Sequence, residues 1–323
     1  MVAALDEVVS QQSFVQAVEV WAPDASGARL VRTDGFYGAH KGFGGAGARA
    51  GFARGEGLPG RVWAEGRPIL LDDLRQGDFL RAEAADRAGL AAAAAIPVYA
   101  RDTLKGVLVL LCGADEARTG AVEIWRAGRG PEAAMTLDGG YYGAATAFRE
   151  VSERIEFARG KGLPGGVWAS NAPMLLRDLG GSHAFLRAAS ATAAGLTTGL
   201  GLPVPVPKAA GADYVLTLLS ARATPIARRF ELWDVVPGKG GQKAAAVLVD
   251  GLCEVEGPLW ATERRVSAWQ GAVGRALATG LPVAEAAPPA APGPARHQAR
   301  HLGMVALPIH VHGETARVVA WFF

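Results

Sequence analysis

The sequence predicts an α+β fold used three times in one chain, and three observations carry that prediction. One block returns at a nearly fixed spacing: "FARGEGLPGRVWA" at 52–64 comes back as "FARGKGLPGGVWA" at 157–169, a shift of 105 residues. Within each block, short alternating apolar runs are mixed with brief helical stretches, which fits neither a helical array nor an all-β chain. A third, worn copy follows, in which "FELW" at 230–233 and "GMVALPIHV" at 303–311 keep the strand positions. The repeats divide the chain into residues 1–113, 114–224 and 225–323.

The elements of the first copy follow in order. "AVEVWA" alternates apolar side chains and reads as a strand, and "ARLVRTDGFYG" reads as a second after the turn "PDASG". A short helix opening at Pro59 runs through "GRVWAE" until Gly66 and Pro68 stop it. "RPILLDDL" is a short third strand, and "GDFLRAEAADRAG" is a helix with Asp78 near its start and Gly89 as its stop. "LAAAAAIPVYA" and "TLKGVLVLLC" then form a hairpin. The second copy repeats these pieces as "VEIW", "GGYYG", "APMLLRDL", "FLRAAS" and "GLTTGLGLPV". The third has lost Leu-Pro from its turn and carries the Ala/Pro stretch "EAAPPAAPGPAR", read as an extended loop, where the helical segment stood.

"GEGLPG" at 55–60 and "GKGLPG" at 160–165 match the glycine spacing of a dinucleotide-binding turn. The flanks exclude that reading. "RAGFAR" stands where a buried parallel strand should precede the first glycine, and the helix after the third is too short for a βαβ crossover. The glycines instead bend the chain into a short covering helix whose Leu58, Val62 and Trp63, or Leu163, Val167 and Trp168, face inward. "VPGKGGQKAAAV" at 236–247 lacks the Lys-Ser/Thr ending of a phosphate loop and reads as a turn between two strands.

Composition narrows the function classes. The chain has 323 residues, half of them apolar, and 33 Lys and Arg against 31 Asp and Glu give a net charge of +2. No basic run marks a nucleic-acid partner or a membrane surface. Two cysteines, Cys112 and Cys253, are too few for a disulfide framework and suit a reducing compartment. "MVAALDEVVSQQSF" reads as a short amphipathic helix and not a secretory leader, and the longest apolar stretches fall short of a membrane span. The expectation is a soluble cytoplasmic protein.

The succession strand, strand, "F-x-RGxGLPGxVWA", "PxLLxDL", "FxRA", "GL" and "IPV" or "LPV", then a hairpin, resembles the GAF domain, a small-molecule-binding and dimerising module of signalling proteins. The resemblance covers nearly all of 1–224 and, more loosely, 225–323. It implies for each repeat a central antiparallel sheet with helices and a pocket on one sheet face. Ligand-binding positions carried over from it are Trp63, Phe79, Arg81, Ala92 and Tyr99 in the first copy and Trp168, Phe185, Arg187 and Thr198 in the second. Arg81 and Arg187 would offer a planar bidentate donor to a carboxylate or phosphate, or else lie as solvated charges on an outer helix face.

The catalytic uses of the family leave no mark here. Neither cysteine precedes a His as in bilin-attaching members, no Asn-Lys-Phe-Asp-Glu signature of cyclic-nucleotide sensors occurs, and neither full copy holds two cysteines for sulfoxide reduction. The adjacent carboxylates of "DDL" at 72–74 point to opposite faces of a strand and give way to "RDL" in the second copy. No catalytic residue and no cofactor is expected. His297 and His301, four apart, and His310 and His312, two apart, could present a metal site, but no fourth ligand set stands within sequence reach, and no metal is assigned.

The linkers "GADEARTG" and "ARATPIARR" are too short for the helices that join many such domains. The apolar sheet faces must then pack back to back within the chain or be shared with a second chain as a homodimer. The expected function is a non-catalytic sensor that binds an unidentified small molecule and signals through a protein partner. The competing expectation is a scaffold whose pockets are plugged by side chains. The small residues of "LAAAAA" favour a cavity in the first copy.

Overall fold

The computed structural model describes residues 13–46, 51–76, 79–114, 118–238, 244–254, 257–259, 264–286 and 303–323. The expected N-terminal helix, the Ala/Pro stretch, and His297 and His301 lie outside the described residues. Three antiparallel sheets account for the three repeats, one sheet to each. The first contains β1 (Val15–Pro23), β2 (Arg29–Phe36), β3 (Phe52–Ala53), β4 (Ile69–Leu71), β5 (Leu90–Ala100) and β6 (Thr103–Gly113). Its spatial order is β3-β2-β1-β6-β5-β4. The second repeats that order with β7 (Thr119–Gly128), β8 (Ala134–Gly143), β9 (Phe157–Ala158), β10 (Met174–Leu176), β11 (Leu196–Val204) and β12 (Ala212–Ala221). The third contains β13 (Arg229–Val236), β14 (Ala245–Cys253), β15 (Gly257–Pro258), β16 (Arg265–Ser267), β17 (Val283–Ala286), β18 (Gly303–Val311) and β19 (Glu314–Phe322).

Short helices cover one face of each sheet: α1 (Lys41–Ala46), α2 (Gly57–Glu65) and α3 (Ala82–Arg87) in the first unit, α4 (Thr146–Arg154), α5 (Gly162–Ser170) and α6 (Ala188–Ala193) in the second, and α7 (Gly271–Thr279) in the third. The α2 helix starts two residues before the expected Pro59 and ends where expected, with Gly66 in the left-handed conformation. The third glycine of the repeated motif has a steric reason. A Cβ on Gly60 would lie 2.2 Å from the Ala53 carbonyl oxygen, and one on Gly165 or Gly274 would meet Ala158 or Ser267 in the same way. The glycines thus let each covering helix touch the backbone of the preceding turn, and the α3 helix begins only after Arg81, later than its sequence segment suggests.

Alternation along the strands divides each sheet into two faces. In β5, Ala93 and Ala95 join the cluster under the helices, whereas Ala92, Ala94, Ile96 and Val98 point the other way. That second face packs against its counterparts in the other two units, so a single apolar core runs through all three sheets. Phe36 of the first unit stacks on Phe323 of the third, with ring centroids 5.2 Å apart, and Phe14 meets Tyr141 of the second at 5.5 Å. Of the two expected ways to cover these faces, the chain uses packing within itself.

An Asp-Gly step in each second strand marks the seams, set one position earlier in the register of the second unit than in the first and third. Asp138 of the second unit pairs with Arg67 of the first, Asp250 of the third with Arg177 of the second, and Asp34 of the first takes the Ala284 amide and the field of Arg275 from the third. The units therefore close into a ring. Pro97, Pro203 and Pro308 line one dimple where the three sheets meet. Each lies beyond the short edge strand that pairs with its own strand, so the missing amide N–H costs no ladder bond.

Candidate functional site

Each unit buries one glutamate beneath its helices, two residues before a tryptophan on the first strand. In the first unit Glu19 is fully buried and accepts from the Trp21 indole at 3.0 Å and from the Tyr37 hydroxyl at 2.9 Å. Arg81, set by the turn ahead of α3, clasps both carboxylate oxygens at 2.7 and 2.6 Å, and its side chain is 10% exposed. A second guanidinium, Arg32 on β2, stands 3.8 Å from Glu19 with 17% exposure and donates to the Tyr37 hydroxyl and the Gly44 carbonyl. The cation of Arg81 lies 4.4 Å from the centre of the Phe43 ring and 5.5 Å from that of Phe79. Burial, and then the negative charge of Glu19, push the Tyr37 phenol well above its usual range, so it stays a donor.

The second unit builds the same cluster and seals it. Arg187 and Glu123 are both fully buried and paired at two points. Trp125, Thr217 and Tyr142 donate to the same carboxylate at 3.0, 2.7 and 3.0 Å, and Ser152 accepts from Arg187. Burial pushes the Glu123 carboxyl up, but the Arg187 charge and the hydrogen bonds outweigh it and hold the group below its ordinary value. In the third unit, which lacks the Phe-x-Arg-Ala segment, Glu231 takes Arg229 from its own strand at 2.7 Å, Arg264 at 3.0 Å and the Trp233 indole at 3.1 Å.

Of the residues singled out in the sequence, Arg81, Phe79 and Tyr99 lie under the helices of the first unit with Trp63 at the margin. Arg187 and Phe185 lie together in the second, while Trp168 is half-buried, donates to Asp213 at 2.8 Å and carries Arg159 over its ring. Both arginines face inward and neither is a solvated outer charge. Ala92 is a correction: it points into the shared core and does not line the helix-covered face. Thr198, at the matching register position, points the same way and reaches Glu254 of the third unit. The reason is the alternation of β5 and β11, which brings Ala93 and Ala95, or Gly199 and Gly201, to the floor.

Sequence reasoning missed the glutamates. The signal was present, since "VEVW", "VEIW" and "FELW" each set one carboxylate in an otherwise apolar strand. Of the histidines, His310 is buried with its ring nitrogen 3.0 Å from the Gly280 carbonyl, and His312 sits in a turn with φ of 53°. Among the described residues no group of three or more His, Cys, Asp or Glu side chains is placed to hold a metal ion, and no helix is long and apolar enough to cross a membrane.

Residues 3–127 match the family model described as the GAF domain. No curated protein matches the sequence. Solved structures similar to parts of the chain include an A. aeolicus GAF domain in an inactive state, 17% identical, covering 31% of this chain and 58% of that one at a TM-score of 0.24. Others are a Staphylococcus aureus NreA protein mutated in its nitrate-binding site (17% identical, 34% and 80% covered, TM-score 0.26) and a GAF domain/HD domain protein from Geobacter sulfurreducens (14% identical, 35% and 72% covered, TM-score 0.27). The chain thus spans less than two thirds of the first of these. The residues that match the GAF domain family model, 3–127, carry the Glu19–Arg81 cluster and its covering helices.

Proposed function

We propose that this chain is a non-catalytic cytoplasmic regulator in which the first unit binds a small molecule beneath its helices and the ring of units transmits the change to a protein partner. The observation that carries this reading is the partly open cluster of the first unit, where two guanidiniums, Arg81 and Arg32, face one carboxylate. Among the described residues this sets two positive charges against one negative inside an aromatic sleeve, a recognition element for an anion. GAF domains are in general sensory, ligand-binding modules, which agrees with it.

A scaffold role suits the second unit on a specific observation. Its floor is occupied: a Cβ on Gly201 would lie 2.7 Å from Val167 and 2.9 Å from Leu163, and Arg187 is neutralised in place. In this division of labour the first unit senses and the second frames it. Native mass spectrometry of gently purified protein tests the reading. A persistent extra mass that disappears in Arg81→Ala but survives in Arg149→Ala supports it, and a bare polypeptide mass in every preparation favours the scaffold.

A further inference from the structure

We propose that the first unit is an exchange site for small carboxylic acids: the ligand's carboxylate takes the Arg81 guanidinium from Glu19, and Arg32 keeps Glu19 paired. The inference rests on the sensory reading of the first unit and adds its ligand class and its mechanism.

The geometry points to a carboxylate because one is already bound there. Glu19 meets Arg81 through two parallel contacts at 2.7 and 2.6 Å, the fork-on-fork match that planar carboxylates make with guanidinium. An incoming acid reproduces those two bonds without remodelling the donor. Around them, Phe43, Phe79 and Trp21 present ring faces within 6.0 Å of the Arg81 cation, so the ligand's apolar part has a matching wall.

Exchange is feasible only if the displaced glutamate is not left as a lone buried charge. In the first unit it is not. Glu19 retains the Trp21 and Tyr37 donors, and Arg32, already 3.8 Å away, becomes its counter-ion. The second unit has no such reserve. Among the described residues the other donors on Glu123 are Trp125, Thr217 and Tyr142, all neutral, so releasing Arg187 would strand the carboxylate. The same side-chain pair is therefore a switch in one unit and a fixed strut in the next. Arg32 makes the difference; it lies opposite Trp21, and the matching register position of β8, opposite Trp125, holds Leu137.

Calorimetric titration of the full chain with sodium benzoate, against the neutral isostere benzamide, tests this. Saturable binding of benzoate without binding of benzamide is expected. Glu19→Gln, which frees Arg81 from its internal partner, should tighten benzoate by about tenfold or more, and Arg32→Leu should weaken it by about tenfold or more. Circular dichroism confirms folding, and Arg32→Leu alone decides the matter if Glu19→Gln does not fold. Equal binding of benzamide, or a benzoate affinity indifferent to both substitutions, overturns the exchange. If a co-purified mass is present while wild type and Glu19→Gln both ignore benzoate, the exchange fails and the sensory reading stands; if neither is seen, both fail.

Discussion

Replacing Arg187 with Met is the sharpest test of how the second unit is held together. The substitution keeps the length of the side chain and removes its charge. Glu123 then remains fully buried with only neutral donors from Trp125, Thr217 and Tyr142. Stranding one member of a buried pair costs about 3–5 kcal/mol, a large share of the roughly 5–15 kcal/mol that holds a domain folded. Adding Glu123→Gln removes the stranded charge, so the double variant should recover part of the loss. The sign of the pH dependence follows from the depressed carboxyl of Glu123. Its contribution in the wild type is present above the ordinary carboxylate value of 4.5 and is lost as pH falls through the lower folded value. In Arg187→Met the carboxyl is no longer held down, so the deficit against wild type should narrow as pH falls from 7 through that range. Urea unfolding followed by circular dichroism at several pH values measures both. A loss below about 1 kcal/mol, or one that does not change with pH, would refute the argument that the pair is sealed from solvent.

Other consequences are checked by the same unfolding assay. Gly165→Ala forces a Cβ to within 2.2 Å of the Ala158 carbonyl and should cost about 1–3 kcal/mol or more, whereas Gly42→Ala, with open space around it in α1, should be neutral or slightly stabilising. Trp269 holds a left-handed φ of 74° at the position where the other two units have Gly55 and Gly160, and Trp269→Gly should stabilise by about 1 kcal/mol. Burial raises the Asp34 carboxyl at the seam between the first and third units, so its ionised form costs stability. Asp34→Asn should therefore be at least as stable as wild type at pH 7, with the difference shrinking toward acid. Cys112 is buried with its thiol pushed up by desolvation, and thiol reagents should label it only after unfolding.

Much of the fold was legible because repetition exposes it. The 105-residue period gave the first two copies and the echoes "FELW" and "GMVALPIHV" a third, and the alternation in "AVEVWA" and "LAAAAAIPVYA" gave strands in the right places. The inward helix residues Leu58, Val62, Leu163 and Val167 were readable from the short motif around the glycines. Parity in an all-apolar strand was not readable. "LAAAAA" carries no polar residue to mark its outer face, because in this protein both faces are buried, and so Ala92 was assigned to the wrong one. The glutamates escaped for a related reason. A carboxylate in a strand reads as a solvent-facing residue until its guanidinium is found, and Arg81 lies 62 positions away from Glu19. The ring closure depends on contacts between units that no local pattern encodes.

Amide hydrogen exchange on the two equivalent segments, 79–87 and 185–193, measures most directly whether one cluster is exchangeable and the other fixed. The account expects the first segment to exchange faster than the second, by about tenfold or more, and to slow when benzoate is added. Equal protection of both segments, unchanged by benzoate, would contradict it.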